Sequence, residues 1–174
     1  MTERTWQAES KVRLDSLMVA YYLAMRGMPI VGAKIKLPHD KVAVVFTAKA
    51  SIDQAKMEIS NAFFLRLKGL VESRLKQRPN VNIDWRDETS FLKSICLEAD
   101  AFGEGEKRLF SQFCKLRNVL AHDYGWVDDK TKEKLPELKD VSHIAMDETT
   151  MKNWFIFADR VFCLVGPKRL HLTP

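Results

Sequence analysis

The stretch of the chain that most constrains its fold is Lys115-Leu116-Arg117-Asn118-Val119-Leu120-Ala121-His122-Asp123-Tyr124-Gly125. Here and just upstream, apolar side chains recur at the spacing of one face of an α-helix. They are Leu109, Phe110, Phe113, Leu116, Val119 and Leu120. Gly125 suits the position after a helix, where a left-handed residue closes the last turn. The pattern predicts a helix from about residue 106 to residue 122, with Arg117, Asn118 and His122 beside its apolar face.

The polar residues of this stretch do not all share one edge of the predicted helix. Asn118 and His122 are one turn apart and lie on one face. Arg117 and His122 are five residues apart, so they diverge by roughly 140° around the axis. Arg117 and His122 of one chain therefore do not face the same small ligand. Two copies facing each other across a two-fold axis would form a cleft with paired Arg and His groups, which predicts a homodimer.

These residue types also have an ordinary structural explanation. A histidine near a helix C-terminus is favoured anyway, because the carbonyl end attracts positive charge. Arginines are common on solvated helix faces, so an Arg-x4-His match alone indicates little. The full string, with Asn after Arg and Tyr two residues after His, is more specific.

In Arg117-Asn118-Val119-Leu120-Ala121-His122 the chain resembles the HEPN superfamily, whose hallmark is an arginine, usually a polar residue next, and a histidine a few positions later. The continuation to Tyr124 is similar to the Arg-x4-His-x-Tyr form of the HepT toxins of toxin–antitoxin pairs. The motif spans Arg117 to Tyr124, and the helical pattern around it extends the likeness to most of the chain. The chain differs from HepT in having an additional segment before the core helices.

The resemblance implies an all-α, antiparallel four-helix bundle with an extra N-terminal helix, built as a homodimer. It implies a metal-independent endoribonuclease of the toxin or defence type, with no cofactor and with RNA as the substrate. Arg117 and His122 are then the catalytic residues, and Asn118, Asp123 and Tyr124 support them or bind the substrate. Tyr124 would contact RNA or, if the HepT likeness holds, be a modified residue. A nucleotidyltransferase-type antitoxin is a possible partner.

The bulk composition is that of a soluble globular protein. With 174 residues, 46% hydrophobic and 29% charged, the chain suits one domain spanning residues 1–174, of which about 1–38 form the N-terminal addition. The 7 glycines and 6 prolines favour long helices. A net charge of +5 permits a polyanionic partner such as RNA, and it fits a basic surface used only for solubility equally well.

The three cysteines indicate a reducing compartment. Cys96, Cys114 and Cys163 are odd in number and match no zinc or redox spacing, so we expect buried thiols in a cytoplasmic protein. No segment has the unbroken apolar length of a membrane span, and the charged N-terminus is unlike a signal peptide.

Three further helices follow from apolar periodicity. The first is predicted from about Thr5 to Arg26, the second from Ser51, as N-cap, to Gln77, and the last from about Asp147, as N-cap, to Val165. A shorter helix is expected around Phe91 to Ala99. The last helix presents Met151, Trp154, Phe155, Ala158, Val161, Phe162 and Val165 on one face.

Residues 30–50 give a less regular pattern. The run from Lys41 to Thr47 has the β-branched content of a short strand but also apolar residues at helical spacing. We expect helix, because a lone strand would find no partner elsewhere in the chain.

Two charged stretches have competing interpretations. The second half of the second helix carries Arg66, Lys68, Arg74, Lys76 and Arg78, which could be a surface for the RNA backbone or only a complement to the helix dipole. The polar, lysine-rich residues 126–142 are expected to form a loop that follows the motif directly, and this loop could border the site or be only a solvated loop. Asp84, Asp87 and Glu88 are better explained as the start of a helix than as metal ligands, so no metal site is predicted.

The proposed chemistry is attack of a ribose 2′-hydroxyl on the adjacent phosphate. His122 can accept or donate the proton because its unperturbed pKa lies near neutrality, and Arg117 offers a planar fork to phosphate oxygens. Asn118 would orient His122 or bind phosphate. The alternatives are a non-catalytic HEPN-like module that binds protein or nucleotide, with Arg117 and His122 as a structural pair, and a repressor-type helical regulator. Exposure of His122 in a cleft at a two-fold interface would separate these alternatives.

Overall fold

The structure, a computed structural model, describes residues 2–27, 34–36, 42–44, 49–78, 84, 90, 91, 93–95, 102–122, 125–144 and 146–165. Its helices are α1 (Glu3–Arg26), α2 (Lys49–Lys76), α3 (Glu104–His122), α4 (Asp129–Lys134) and α5 (Glu148–Val165). A 3-10 turn spans Pro136–Leu138, and two short strands are β1 (Lys34–Lys36) and β2 (Val42–Val44). Residues 90, 91 and 93–95 are also helical. The described chain is thus mostly helical, as the sequence predicts.

Four long helices share one core, which is rich in aromatic rings. Its largest fully buried side chains include Trp6, Tyr21, Phe64, Phe110, Phe113 and Phe162. In α3, Phe113 contacts Phe64 of α2 and Trp154 of α5, with ring centroids 5.2 Å apart in both pairs. Such pairs add to the stabilisation from buried apolar area.

Contacts along the helices give their relative directions. Trp6 and Tyr21 of α1 bond to Arg74 and Ser60 of α2, so these two helices run antiparallel. The start of α1 also lies beside the end of α5, where Gln7 donates to the Phe162 carbonyl oxygen at 3.1 Å. In α3, Phe110 contacts Phe157 and Phe113 contacts Trp154, which makes α3 antiparallel to α5 as well. Hence α1 and α3 each pack against α2 and α5, which run in parallel.

The segment predicted as an N-terminal addition contains α1, and α1 is part of this core. Trp6, Leu14 and Tyr21 are at most 3% exposed. The predicted start at Thr5 differs from the observed start at Glu3 because Thr2 is the N-cap, accepting a hydrogen bond from the Thr5 N–H.

Arg74, predicted to lie on a possible RNA surface, is buried in the α1–α2 interface. Its guanidinium donates to the Ser10 hydroxyl at 3.0 Å, to the Trp6 carbonyl oxygen at 3.1 Å and to Glu9 at 3.2 Å. In return, the Trp6 indole N–H donates to the Arg74 carbonyl oxygen at 2.6 Å. This reciprocal pairing makes Arg74 a structural residue.

The remaining basic residues of α2 do not form one uncompensated surface. Both Lys68 and Lys76 pair with Glu72, and Arg78 pairs with Glu3. Arg66 is exposed. The interpretation of this half of α2 as a basic RNA surface is therefore wrong for Arg74. The acidic partners of Lys68, Lys76 and Arg78 also reduce the net positive charge that they offer to RNA.

The helical interpretation of residues 41–47 is wrong at Val42–Val44. These residues form β2, which pairs antiparallel with β1 in the register Lys34 to Val44, Ile35 to Ala43 and Lys36 to Val42. The partner strand is β1, just upstream in the chain. The helical prediction assumed that a strand here would have no partner.

The lysine-rich segment after the motif is more ordered than the predicted loop. Asp128 caps α4 by accepting the Thr131 N–H at 2.7 Å, and the 3-10 turn follows. Leu135 is only 2% exposed, which anchors the segment to the protein. Its ends meet where the Val127 N–H donates to the Ser142 carbonyl oxygen at 3.0 Å.

The predicted helix starts have different outcomes. Asp147 is confirmed as the N-cap of α5, since it accepts the Thr150 N–H at 2.6 Å. Ser51 lies inside α2, which begins at Lys49, so its assignment as N-cap is wrong. Of the shorter predicted helix, Leu92, Cys96 and Ala99 lie outside the described residues. In the part of the chain that the structure describes, no helix has the length and apolar character needed to cross a membrane.

Candidate functional site

The motif occupies the C-terminal end of α3, where the predicted helix is confirmed. Phe110, Phe113, Val119 and Leu120 are at most 6% exposed, and Leu116 packs partly buried against them. Leu109 is 43% exposed and does not belong to the buried face. The helix begins at Glu104, two residues before the predicted start, and ends at His122 as predicted.

Arg117 lies on the core side of α3. It follows Phe113 by four residues and Phe110 by seven, so all three share one face of the helix. The expectation that Arg117 stands beside the apolar face is therefore wrong. Its side chain is nevertheless only half-buried.

The guanidinium of Arg117 has a neutral partner. Its Nη1 donates to the carboxamide oxygen of Asn118 at 2.9 Å. No carboxylate pairs with Arg117 among the described residues, whereas Arg74 pairs with Glu9 and Arg160 with Glu106. Asn118 thus orients Arg117, and its predicted contacts with His122 or phosphate stay predictions. The arrangement leaves a half-buried positive charge able to bind an anion.

The other predicted site residues are less fully described. His122 is the last residue of α3, so its backbone position is fixed, but its side chain lies outside the described part of the structure. Asp123 and Tyr124 lie outside the described residues altogether. The structure therefore brings Arg117 and Asn118 together and leaves the contacts of His122, Asp123 and Tyr124 as predictions.

Gly125 closes the helix as its sequence position predicts. Its φ is +86°, and its N–H donates to the Val119 carbonyl oxygen at 3.2 Å. A Cβ here would lie 3.0 Å from both the His143 Nε2 and the Ile144 carbonyl oxygen. A side chain at residue 125 is thus opposed by its φ and by the chain packed against it.

His143, which the sequence placed in no constellation, lies against this turn. Residues 126 and 143 form an isolated antiparallel bridge, and the Ile144 N–H donates to the Gly125 carbonyl oxygen at 2.7 Å. The pairing places the imidazole of His143 next to Gly125, three residues after His122. Sequence spacing gave no signal for it, because the contact joins residues 18 positions apart through Gly125.

Trp126 is a further residue that the sequence analysis did not single out. Its side chain is 64% exposed, while its ring meets that of His143 edge to face at a centroid distance of 5.3 Å. An exposed indole held in place is unusual on a protein surface and suits stacking on a base. Its position two residues after Tyr124 places it beside the motif.

A groove of about 590 Å³ lies between α3 and the segment that follows the motif. From α3 it is lined by Arg108, Ser111, Gln112 and Lys115, and from the other side by residues 134–137. The Lys115 ammonium donates to the Lys134 carbonyl oxygen at 2.9 Å, and Gln112 donates to Glu137. The lysine-rich segment therefore packs beside α3, on residues that precede the motif.

The pKa of the Glu137 carboxylate reflects the charges around this groove. Burial on its own would raise the pKa of Glu137, yet that pKa is lowered. The opposing causes are hydrogen bonds from its own backbone N–H and from Gln112, together with the charges of Arg108 and Lys115. Two cationic groups thus act on a common anion within the groove.

Comparison with protein-family models, with curated proteins and with solved structures found no match for this chain. In the described part of the structure, no three His, Cys, Asp or Glu side chains are grouped so that they could hold a metal ion.

Proposed function

We propose that the protein is an endoribonuclease of the HEPN type, which cleaves RNA at a site built on Arg117 and His122. The observation that supports this most directly is the state of Arg117. It is half-buried and oriented by Asn118, and it pairs with no carboxylate among the described residues. A structural arginine withdrawn from solvent is normally neutralised, as Arg74 is by Glu9.

The reaction is attack of a ribose 2′-hydroxyl on the neighbouring phosphate, which breaks the bond to the 5′-oxygen of the next nucleotide. His122 takes the hydroxyl proton or supplies a proton to the leaving oxygen. Arg117 stabilises the charge that develops on the phosphorane oxygens. The products are a 2′,3′-cyclic phosphate and a free 5′-hydroxyl.

A homodimer supplies both proton-transfer roles. Because Arg117 and His122 diverge around α3, one copy of each does not surround a phosphate group. Two motif ends related by a two-fold axis provide one histidine as base and another as acid. In this proposal the mostly helical fold is a HEPN-type four-helix bundle, and the motif lies at the interface between two subunits.

The residues around the motif have roles in binding. Tyr124 and Asp123 contact RNA, and the exposed indole of Trp126 stacks on a base next to the cleaved bond. The basic pI near 9.1 fits a polyanionic substrate. As a toxin or defence enzyme of the cytoplasm, the protein would be held inactive by an antitoxin of the nucleotidyltransferase type.

The other candidates are a non-catalytic HEPN-like helical module that binds protein or nucleotide, and a repressor-type helical regulator. No described contact favours either over cleavage. An anion bound by Arg117 without reaction would fit a nucleotide-binding module, so binding alone does not distinguish the two functions.

The test is incubation of the purified protein with a mixed RNA pool in chelator, beside His122→Ala. Cleavage by the natural protein, with 2′,3′-cyclic phosphate ends, supports the proposal. Cleavage that requires added magnesium, or that His122→Ala retains, contradicts it.

A further inference from the structure

Beyond the motif, α3 carries a polar edge that continues toward its N-terminal half. Arg108, Ser111, Lys115 and Asn118 follow one another at intervals of three, four and three residues, and His122 is four residues further on. These spacings place all five on one side of the helix, within about 80° of each other. The edge therefore leads from the groove to the end of α3 that bears the motif.

On its α3 side, the groove along this edge contains two cationic side chains and two neutral hydrogen-bond donors. Arg108 is exposed, and Lys115 is partly buried with its ammonium fixed by the Lys134 carbonyl oxygen. The neutral donors Ser111 and Gln112 lie between these two cations. The Glu137 carboxylate lies in the same groove, where it accepts a hydrogen bond from Gln112 and is attracted by the charges of Arg108 and Lys115.

We propose that this groove, lined by Arg108, Ser111 and Lys115, binds the phosphates of single-stranded RNA on one side of the cleaved bond. The inference rests on the proposed function for the identity of the polymer, and it names a second region of contact that the motif does not include. Arg108 and Lys115 are about 10.5 Å apart along the helix axis, so they contact different phosphates. The Glu137 carboxylate repels the RNA phosphates, and this repulsion limits non-specific binding of polyanions.

Binding is measured with a fluorescent 12-nucleotide oligouridine whose 2′-oxygens are methylated. This probe has no 2′-hydroxyl nucleophile, so the measurement is independent of cleavage. We expect Arg108→Ala and Lys115→Ala each to weaken binding about ten-fold. Together they should reduce the salt dependence of log K by about 1.4, the value for two phosphate contacts with a single strand. Glu137→Gln should tighten binding several-fold, because it removes a negative charge and keeps the side-chain shape.

Lys152→Ala is the matched control, since Lys152 is exposed on α5 and does not line the groove. It should change neither affinity nor salt dependence beyond the small effect of net charge. Circular dichroism on every variant confirms that α3 is intact, and a variant that loses its helix content is replaced by Arg108→Gln or Lys115→Gln.

The outcomes separate the groove from the nuclease. If Arg108→Ala and Lys115→Ala bind the probe as Lys152→Ala does, the groove proposal is overturned even if the protein cleaves RNA. If they lose binding as expected while no RNA is ever cleaved, the groove stands and the nuclease proposal fails. An equal affinity for a poly-glutamate peptide, with the same dependence on Arg108 and Lys115, would replace RNA by an acidic protein segment and overturn the proposal.

Discussion

Two arginines that are withdrawn from solvent show how partners determine the role of a residue. Arg74 is 2% exposed and has carbonyl, hydroxyl and carboxylate acceptors around its guanidinium. Arg117 is half-buried and has an amide oxygen as its described acceptor. Burial of an unneutralised charge costs stability. An arginine like Arg117 is therefore better explained by binding a ligand than by stabilising the fold.

The turn after the motif leads to a prediction about a single residue. Gly125→Ala should lower the free energy of unfolding by about 1–3 kcal/mol, because φ is +86° and the new Cβ would meet atoms 3.0 Å away. Urea unfolding followed by circular dichroism measures the change.

Gly69→Ala is the matched control for this substitution. Gly69 is exposed within α2 and a Cβ there would meet nothing within 4 Å, so alanine should stabilise by roughly 0.5–1 kcal/mol. A Gly125→Ala protein as stable as the natural one would mean that the described turn is wrong.

At the scale of elements, periodicity predicts a helix better than it predicts where a charged side chain points. Every apolar residue assigned to the face of α5 is buried, from Met151 to Val165. Arg74 was placed with the exposed lysines of α2, because its sequence neighbours are charged. Its burial depends on Trp6, Ser10 and Glu9 of another helix, which local sequence cannot reveal.

The contacts of Arg74 make α1 and α2 interdependent. Arg74→Met should cost about 2–4 kcal/mol, because the buried Ser10 hydroxyl loses its donor and the Trp6 carbonyl oxygen loses one of its donors. Lys76→Met, which loses an exposed pair with Glu72, should change stability by less than about 1 kcal/mol. Equal effects of the two substitutions on urea unfolding would show that Arg74 has no structural role.

The cap of α5 predicts a dependence on pH. Hydrogen bonds from the hydroxyl and the N–H of Thr150 hold the pKa of Asp147 below its ordinary value of 3.8. Since the folded-state pKa is the lower one, the ionised cap stabilises the protein above pH 3.8. This stabilisation is lost as the pH falls through 3.8 toward the folded-state pKa.

Asp147→Ala should therefore cost about 1 kcal/mol near neutral pH and progressively less in acid. Denaturant unfolding of both proteins between pH 7 and pH 3 measures this difference. A cost that stays constant or grows in acid would contradict the capping role.

At the scale of the whole molecule, the sequence predicted a mostly helical chain but not its smaller elements. The β1–β2 pairing was missed because three-residue strands carry little pattern, and α4 was missed because its residues are almost all polar. The groove between α3 and residues 134–137 depends on how that segment folds back. It could not be predicted from spacing along one helix.

The proposed two-fold site predicts that the protein is a dimer in solution. Light scattering at micromolar concentration should give twice the 20.1 kDa of one chain. Val19→Asp alters an exposed apolar position on α1, which packs with α2 and α5 and is remote in sequence from the motif. It should leave the mass unchanged if the motif end forms the interface. A monomer that still cleaves RNA would remove the argument for a composite site.

The central claim is that Arg117 and His122 carry out chemistry and do not hold the fold. Its most direct test is the measurement of RNA cleavage in chelator and of thermal melting on His122→Ala, Arg117→Lys and Leu120→Ala. Leu120 is the structural reference because it is 6% exposed next to the motif, whereas Leu116 is only partly buried.

We predict that His122→Ala loses roughly 10²–10⁴-fold in cleavage rate, as expected for a general acid or base, and melts close to the natural protein. Arg117→Lys keeps the charge and loses the bidentate fork, so it should be severely impaired with little change in melting. Leu120→Ala should cost about 2–5 kcal/mol of stability through the cavity it leaves. If His122→Ala and Arg117→Lys lower the melting temperature as much as Leu120→Ala while cleavage per folded molecule is unchanged, the motif is structural and the account is wrong.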